Sequence, residues 1–173
     1  MVDRKFNPKA VLLARLTEDE IRDLANFDCD DEEMNRFFRI EAFDEQERGM
    51  NTTILLYYRG ELAAACSICC DAISLSKQEK EEEGVPYAKV PAIKIARLGR
   101  DIKFKGLGFG RLLIDYVKST AFDLNDETVG VRFLTLDAYP QKIGYYEALG
   151  FVKNQNKRPS RDGNISMRAD IFD

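Results

Sequence analysis

The chain contains no histidine. That absence removes Ser/His and Cys/His nucleophilic pairs and histidine-ligated metal chemistry together, so proton transfer must use Tyr, Asp, Glu, Lys, Cys or water. Long apolar runs are missing too: the longest, Leu62 to Cys70, is nine residues, against the roughly 20 a membrane helix needs. With no signal-peptide pattern at the N-terminus, the expectation is an intracellular, cytoplasmic protein with no membrane partner. Cysteine is scarce, with four: Cys29, Cys66, Cys69 and Cys70. Odd spacing sends Cys66 and Cys69 to opposite faces of a strand, which argues for buried thiols rather than a zinc or redox site, and no metal is expected. No internal repeat is present.

What remains is a chain of 173 residues, 45% apolar and 32% charged, which reads as one globular domain spanning residues 1–173. The net charge of −4 is unevenly distributed. Thr17 to Arg48 carries thirteen acids against four bases, whereas Pro86 to Lys118 carries eight bases against Asp101 and Asp115. The first stretch suits a cationic partner and the second an anionic one.

Val11 to Leu16 reads as a strand leading into a helix through a Thr17/Glu20 capping box. Asp30 and Asp31 suit the cap of a second helix carrying Met34, Phe37, Phe38 and Ala42 and ending near Gly49. Thr52 to Tyr58 and Leu62 to Asp71 flank Arg59-Gly60 as a hairpin. The charge run Lys77 to Gly84 is expected to be a solvated loop or a loop-borne turn of helix. Pro91 to Ile102 is extended, Leu112 to Leu124 keeps helical spacing, and Phe133, Leu134 and Leu136 mark another strand. Gln141 to Leu149 should be a short helix closed by Gly150, and Phe151-Val152 and Ile165 to Ile171 two last strands. The order β-α-α-β-β-β-α-β-α-β-β implies a mixed sheet with helices packed on it, an α+β fold.

Chemistry concentrates at Phe104-Lys105-Gly106-Leu107-Gly108-Phe109-Gly110-Arg111, where a strand meets a helix across three alternate glycines. Such a turn lets backbone N–H groups face a common concavity at the positive end of a helix dipole, which favours phosphate or pyrophosphate, and Lys105 and Arg111 add side-chain charge. No Gly-x4-Gly-Lys-Ser/Thr loop matches. The Gly-x-Gly-x-x-Gly dinucleotide spacing fails because position 111 is Arg.

Arg97-Leu98-Gly99-Arg100-Asp101 followed by Lys105-Gly106-Leu107-Gly108-Phe109-Gly110 resembles the coenzyme A signature of the GNAT superfamily of N-acetyltransferases, Gln/Arg-x-x-Gly-x-Gly/Ala. Gly144-Tyr145-Tyr146-Glu147-Ala148-Leu149-Gly150-Phe151 resembles that superfamily's Phe-Tyr-x-x-x-Gly-Phe ending. Phe27-Asp28-Cys29 before Met34-Asn35-Arg36-Phe37-Phe38 is most similar to a bacterial branch that includes toxins acetylating aminoacyl-tRNA. Lys105 replaces the commoner Gln or Arg, and Tyr139 stands where an Asn is usual.

The resemblance implies a central mixed, mostly antiparallel sheet flanked by helices, with acetyl-CoA as cosubstrate. It implies that the backbone of Lys105, Gly106, Leu107, Gly108, Phe109 and Gly110, with Arg111, holds the pyrophosphate. Leu98, Gly99 and Arg100 would pair with the pantetheine arm. Tyr146 would protonate the leaving thiolate, leaving Tyr145, about 100° around the helix, as a packing residue. The implied reaction moves acetyl to a primary amine by direct attack. Asp101 and Asp137 are among the open candidates for a base. The acidic segment, beside the acceptor groove in this family, points to a cationic acceptor. The basic cluster Lys153, Lys157, Arg158 and Arg161 keeps tRNA as an alternative, and a non-catalytic CoA-binding sensor is another. Oligomeric state, a homodimer included, and any antitoxin-like partner are not written in the sequence.

Overall fold

The structure, a computed structural model, describes residues 6–160 and 162–173, so Arg161 of the basic cluster lies outside the described residues. It divides into two units, Met1–Ile68 with Arg97–Ile114 and Cys69–Ala96 with Asp115–Asp173.

In the first unit β1 (Val11–Arg15) leads to Thr17, whose N–H donates to the Glu20 carboxylate at 2.9 Å, so the expected capping box forms. What it caps is short, a 3-10 turn over Glu18–Glu20 followed by α1 (Ile21–Leu24). Asp31 caps α2 (Glu32–Arg36) by accepting the Met34 N–H at 2.9 Å. A π-helical segment, Phe37–Glu41, follows and runs into α3 (Ala42–Glu47), with Gly49 at φ 73° beyond it. The extra residue of the π turn lets successive Phe37 and Phe38 both face inward, where they pack with Leu16, Leu24, Phe27, Ala42, Leu55 and Ala65. β2 (Thr52–Tyr58) and β3 (Glu61–Ser74) form the expected antiparallel hairpin. Its turn residues Arg59 and Gly60 have φ 53° and 82°, the two left-handed positions of a tight hairpin turn.

β4 (Lys89–Arg100) and α5 (Phe109–Glu127), like β3, run through both units. The second unit adds α4 (Lys77–Glu83), β5 (Phe133–Ala138), α6 (Ile143–Glu147), β6 (Val152–Lys153) and β7 (Ile165–Asp170). The strand order is β1-β2-β3-β4-β5-β7-β6. The β1–β2, β2–β3, β5–β7 and β6–β7 pairs are antiparallel and β4–β5 is parallel, as an α+β mixed sheet requires. The β4–β5 ladder runs only from Ala92↔Phe133 to Lys94↔Thr135.

For the charge run the helical alternative holds and the solvated loop does not. Lys77 to Gly84 is not a solvated loop: Ser76 and Glu79 make a capping box, Gly84 closes α4 at φ 64°, and the Glu79 side chain is buried, the residue only 1% exposed. It bonds Arg168 at 2.8 Å, itself 4% exposed and held also by Glu83 at 2.7 Å and Asn154 at 3.0 Å. An arginine placed on a core-facing strand position forces acids from α4 inward, because a buried charge must be paired.

Candidate functional site

The glycine turn belongs to the first unit. A 3-10 turn over Ile102–Phe104 follows β4, Gly106 and Gly108 adopt φ 88° and 78°, and α5 begins at Phe109. Both glycines have no atom within 4 Å of where a Cβ would stand. Their role is therefore conformational: only glycine reaches this left-handed backbone without strain.

The amides of the turn divide into two groups. Those of Lys105 and Leu107 point back to the carbonyls of Ile102 and Phe104, each at 3.4 Å. Leu112 N–H makes the first bond of the helix, to Gly108 O at 3.1 Å. Among the described residues the amides of Gly106, Gly108 and Gly110 donate to no protein acceptor. Lys103, Lys105 and Arg111 are exposed around them. Open amides at the start of a 19-residue helix, rimmed by cations, favour an anion.

Leu98 and Arg100 of β4 are half-buried, and Arg100 donates to Asp101 O at 2.8 Å. Gly99 is packed rather than open. A Cβ there would meet Phe27 and Phe38 at 3.2 Å and Cys29 at 3.3 Å.

Sequence reasoning missed the web behind this turn. Asp101 is 2% exposed, and its carboxylate accepts the N–H of Lys103 at 3.0 Å and of Asp28 at 3.2 Å. Asp28 O accepts the Ile102 N–H at 2.8 Å. Asn35, also buried, donates to the Asp28 carboxylate at 2.9 Å and accepts the Cys29 N–H at 2.8 Å, while Arg39 holds Phe27 O at 2.8 Å. The Asp30 N–H first, and Asn35 next, keep the Asp28 carboxyl below its usual value. One sequence signal was available: Asn35 lies within the apolar stretch of a helix, where a polar side chain needs a partner.

Tyr146 belongs to the second unit, half-buried on α6, its ring 5.7 Å from Phe151 and 5.2 Å from Tyr145. Its carbonyl accepts the N–H of Leu149 and of Phe151 as the chain turns at Gly150, φ 86°. Tyr145, expected to be the packing residue, is instead 43% exposed. The helix is a single turn lying against Phe151, so only one of two adjacent residues can point inward.

Several of the remaining charges are paired. Asp137 is bonded by Lys94 at 2.6 Å and Lys157 at 3.2 Å. Burial pushes its carboxyl up, but the two ammonium groups prevail and hold it below its ordinary value, which suits an ion-pair anchor more than a base. Lys153 pairs with Glu147 at 3.7 Å, so of the basic loop Arg158 stays exposed without an ion pair among the described residues. In the acidic segment Glu33, Glu41 and Asp44 pair with Arg97, Arg36 and Arg48. Two adjoining surface clefts in the first unit, about 530 and 260 Å³, share Arg22, Asp23, Tyr57 and Gly60. The Tyr57 hydroxyl donates to Asp23 at 2.7 Å, and burial, then this carboxylate, push the phenol above its usual range. The four thiols also differ, since Cys66 is buried, Cys29 and Cys69 are half-buried, and Cys70 is exposed rather than buried as expected. Among the described residues no group of acids or cysteines is arranged to hold a metal, and no helix is long and apolar enough to cross a membrane.

No protein-family model and no curated protein matches the sequence. Solved structures do. A bacterial toxin shares 23% identity over 94% of this chain and 91% of its own, with a TM-score of 0.81. AtaT complexed with acetyl-methionyl-tRNAfMet shares 18% over 94% and 95%, with 0.79, and a tyrosine-to-phenylalanine mutant of KacT shares 16% over 94% and 96%, with 0.80. What such distant likeness shows is the fold, and the chain has the GNAT fold.

Proposed function

We propose that the chain is an acetyl-CoA-dependent N-acetyltransferase. One observation carries the reading: three backbone amides without a protein acceptor among the described residues, those of Gly106, Gly108 and Gly110, lie open at the head of α5 with lysines beside them. They suit the diphosphate of acetyl-CoA, with Lys105 and Arg111 adding charge and Leu98, Gly99 and Arg100 offering strand backbone to the pantetheine arm. The AtaT toxin–antitoxin complex, solved with acetyl-CoA, shares this fold at a TM-score of 0.73.

In the reaction a neutral primary amine attacks the thioester carbonyl, a C–N bond forms, and the C–S bond breaks. The Tyr146 hydroxyl gives its proton to the departing sulfur and regains one from the nitrogen side through solvent. With Asp101 enclosed and Asp137 ion-paired, neither is proposed as the base. The chain's own task is to fix the diphosphate and supply that one proton.

A second reading names the acceptor as the α-amino group of an aminoacyl-tRNA. It is favoured by the AtaT complex with acetyl-methionyl-tRNAfMet.

Coenzyme A release from acetyl-CoA, followed with polyamines, lysine peptides and charged tRNA, tests both. Acceptor-dependent release supports the enzyme, and release confined to charged tRNA that falls steeply with salt supports the second acceptor. Tight acetyl-CoA binding without turnover on any acceptor would instead make the chain a sensor.

A further inference from the structure

The densest polar arrangement of the first unit is built around Asp101, not around a solvent-facing group. Its N–H donates to Ala63 O on β3 at 2.9 Å, and its carbonyl accepts from Phe104 N–H at 3.0 Å and Arg100 at 2.8 Å. Its two carboxylate oxygens take one backbone N–H each, Lys103 on the stretch running into the glycine turn and Asp28 on the loop between α1 and α2. No cationic side chain bonds that carboxylate among the described residues. A buried carboxylate without a bonded counter-cation is costly where an apolar residue would pack, so its hydrogen bonds are what it contributes there.

What it does is visible in the pattern of donors. The Phe27–Asp31 loop and the Gly99–Lys103 stretch cross here, and three contacts fasten them: Asp28 N–H on the Asp101 carboxylate, Ile102 N–H on Asp28 O, and Gly99 seated against Phe27 and Cys29. Asn35 and Arg39 pin the far side of the loop through Asp28, Cys29 and Phe27. The 3-10 turn that Asp101 caps is the piece of chain that sets where Lys105 and the open amides begin.

We propose that Asp101 is a positioning residue for the cofactor turn: its carboxylate clamps the Phe27–Asp31 loop to the Ile102–Phe104 turn and so holds the amides of Gly106, Gly108 and Gly110 in the array that receives a diphosphate. The proposal rests on the glycine turn being the diphosphate site. Asp101→Asn tests the clamp chemically, because an amide has one acceptor oxygen for two N–H donors and turns its own NH2 towards the second.

The experiment is calorimetric binding of CoA and of pantetheine, which has the thiol arm but no diphosphate, to wild type and D101N, with near-UV circular dichroism to check the fold. Wild type should prefer CoA strongly. D101N should lose CoA affinity by about tenfold or more while pantetheine affinity stays within about twofold, and kcat at saturating acetyl-CoA should stay within about threefold. Wild type showing no preference for CoA would sink the diphosphate reading itself. A wild-type preference that D101N keeps, or a D101N loss that is equal for both ligands, would overturn the clamp alone. Should D101N not fold, Asn35→Ser cuts the other side of the same loop and must reduce the CoA preference in the same manner; a retained preference there overturns the proposal.

Discussion

Tyr146 and Tyr145 differ by one position and by everything that matters chemically: one is half-buried against Phe151, the other 43% exposed. A general acid is worth about 10²–10⁴ in rate. Tyr146→Phe should therefore lower kcat by at least about 100-fold with acetyl-CoA affinity unchanged, whereas Tyr145→Phe should leave both near wild type; steady-state CoA release and calorimetry report the two quantities. Wild-type turnover in Tyr146→Phe would remove it from the mechanism. The thiols give a second check at this scale. Burial pushes Cys66 up to about 12, and burial followed by Asp31 pushes Cys29 up to about 11. In native protein at pH 8, iodoacetamide should label Cys70 and spare Cys66, as read by peptide mass spectrometry. Labelling of Cys66 without unfolding would contradict its enclosure.

At the scale of elements, Gly99 and α4 carry the sharpest expectations. A methyl at position 99 meets two buried rings and the Cys29 Cβ at 3.2–3.3 Å, so Gly99→Ala should destabilise by about 1–3 kcal/mol through overpacking. Glu79→Gln leaves Arg168 with half its counter-charge in the core and should cost about 3–5 kcal/mol; urea unfolding measures both. These two elements also show what the sequence could and could not disclose. Hairpin, caps, glycine turn and most of the order of elements along the chain were legible because each depends on local chemistry: Arg59-Gly60 for the turn, Thr17 with Glu20 and Asp31 for caps, alternation for strands. Glu79 was not legible, since nothing within KQEKEEEG says that an arginine 89 positions later will draw one of its acids inside. The π segment over Phe37–Glu41 was hidden for a similar reason, its register being set by what Phe37 and Phe38 pack against. Within the site, residues 105–111 were readable from spacing, whereas the roles of Asp28, Asn35 and Asp101 depend on two remote loops meeting.

For the whole molecule, acid stability follows from the same ion pairs. Burial works to raise the carboxyls of Glu79 and Asp137, but backbone amides with Arg168 for the first, and Lys94 with Lys157 for the second, hold both below their unfolded values near 4.5 and 3.8. Their contribution is present above those values and is lost as pH falls through the lower folded ones. The melting temperature should hold between about pH 6 and 8 as far as these groups are concerned and drop below about pH 4.5, the drop being smaller in Glu79→Gln. An unchanged wild-type melt at pH 3.5 would contradict this. Ligand linkage is the other property of the whole chain: at a hundredfold excess over Kd, acetyl-CoA should stabilise by about 2.7 kcal/mol. Both properties bear on the fold, and neither locates the ligand. The most direct test of the central claim is a crystal structure of the purified chain with acetyl-CoA. Diphosphate oxygens should lie within about 2.7–3.2 Å of the amides of Gly106, Gly108 and Gly110; a diphosphate bound elsewhere, or those amides left facing water with acetyl-CoA at saturating concentration, would contradict the proposed function.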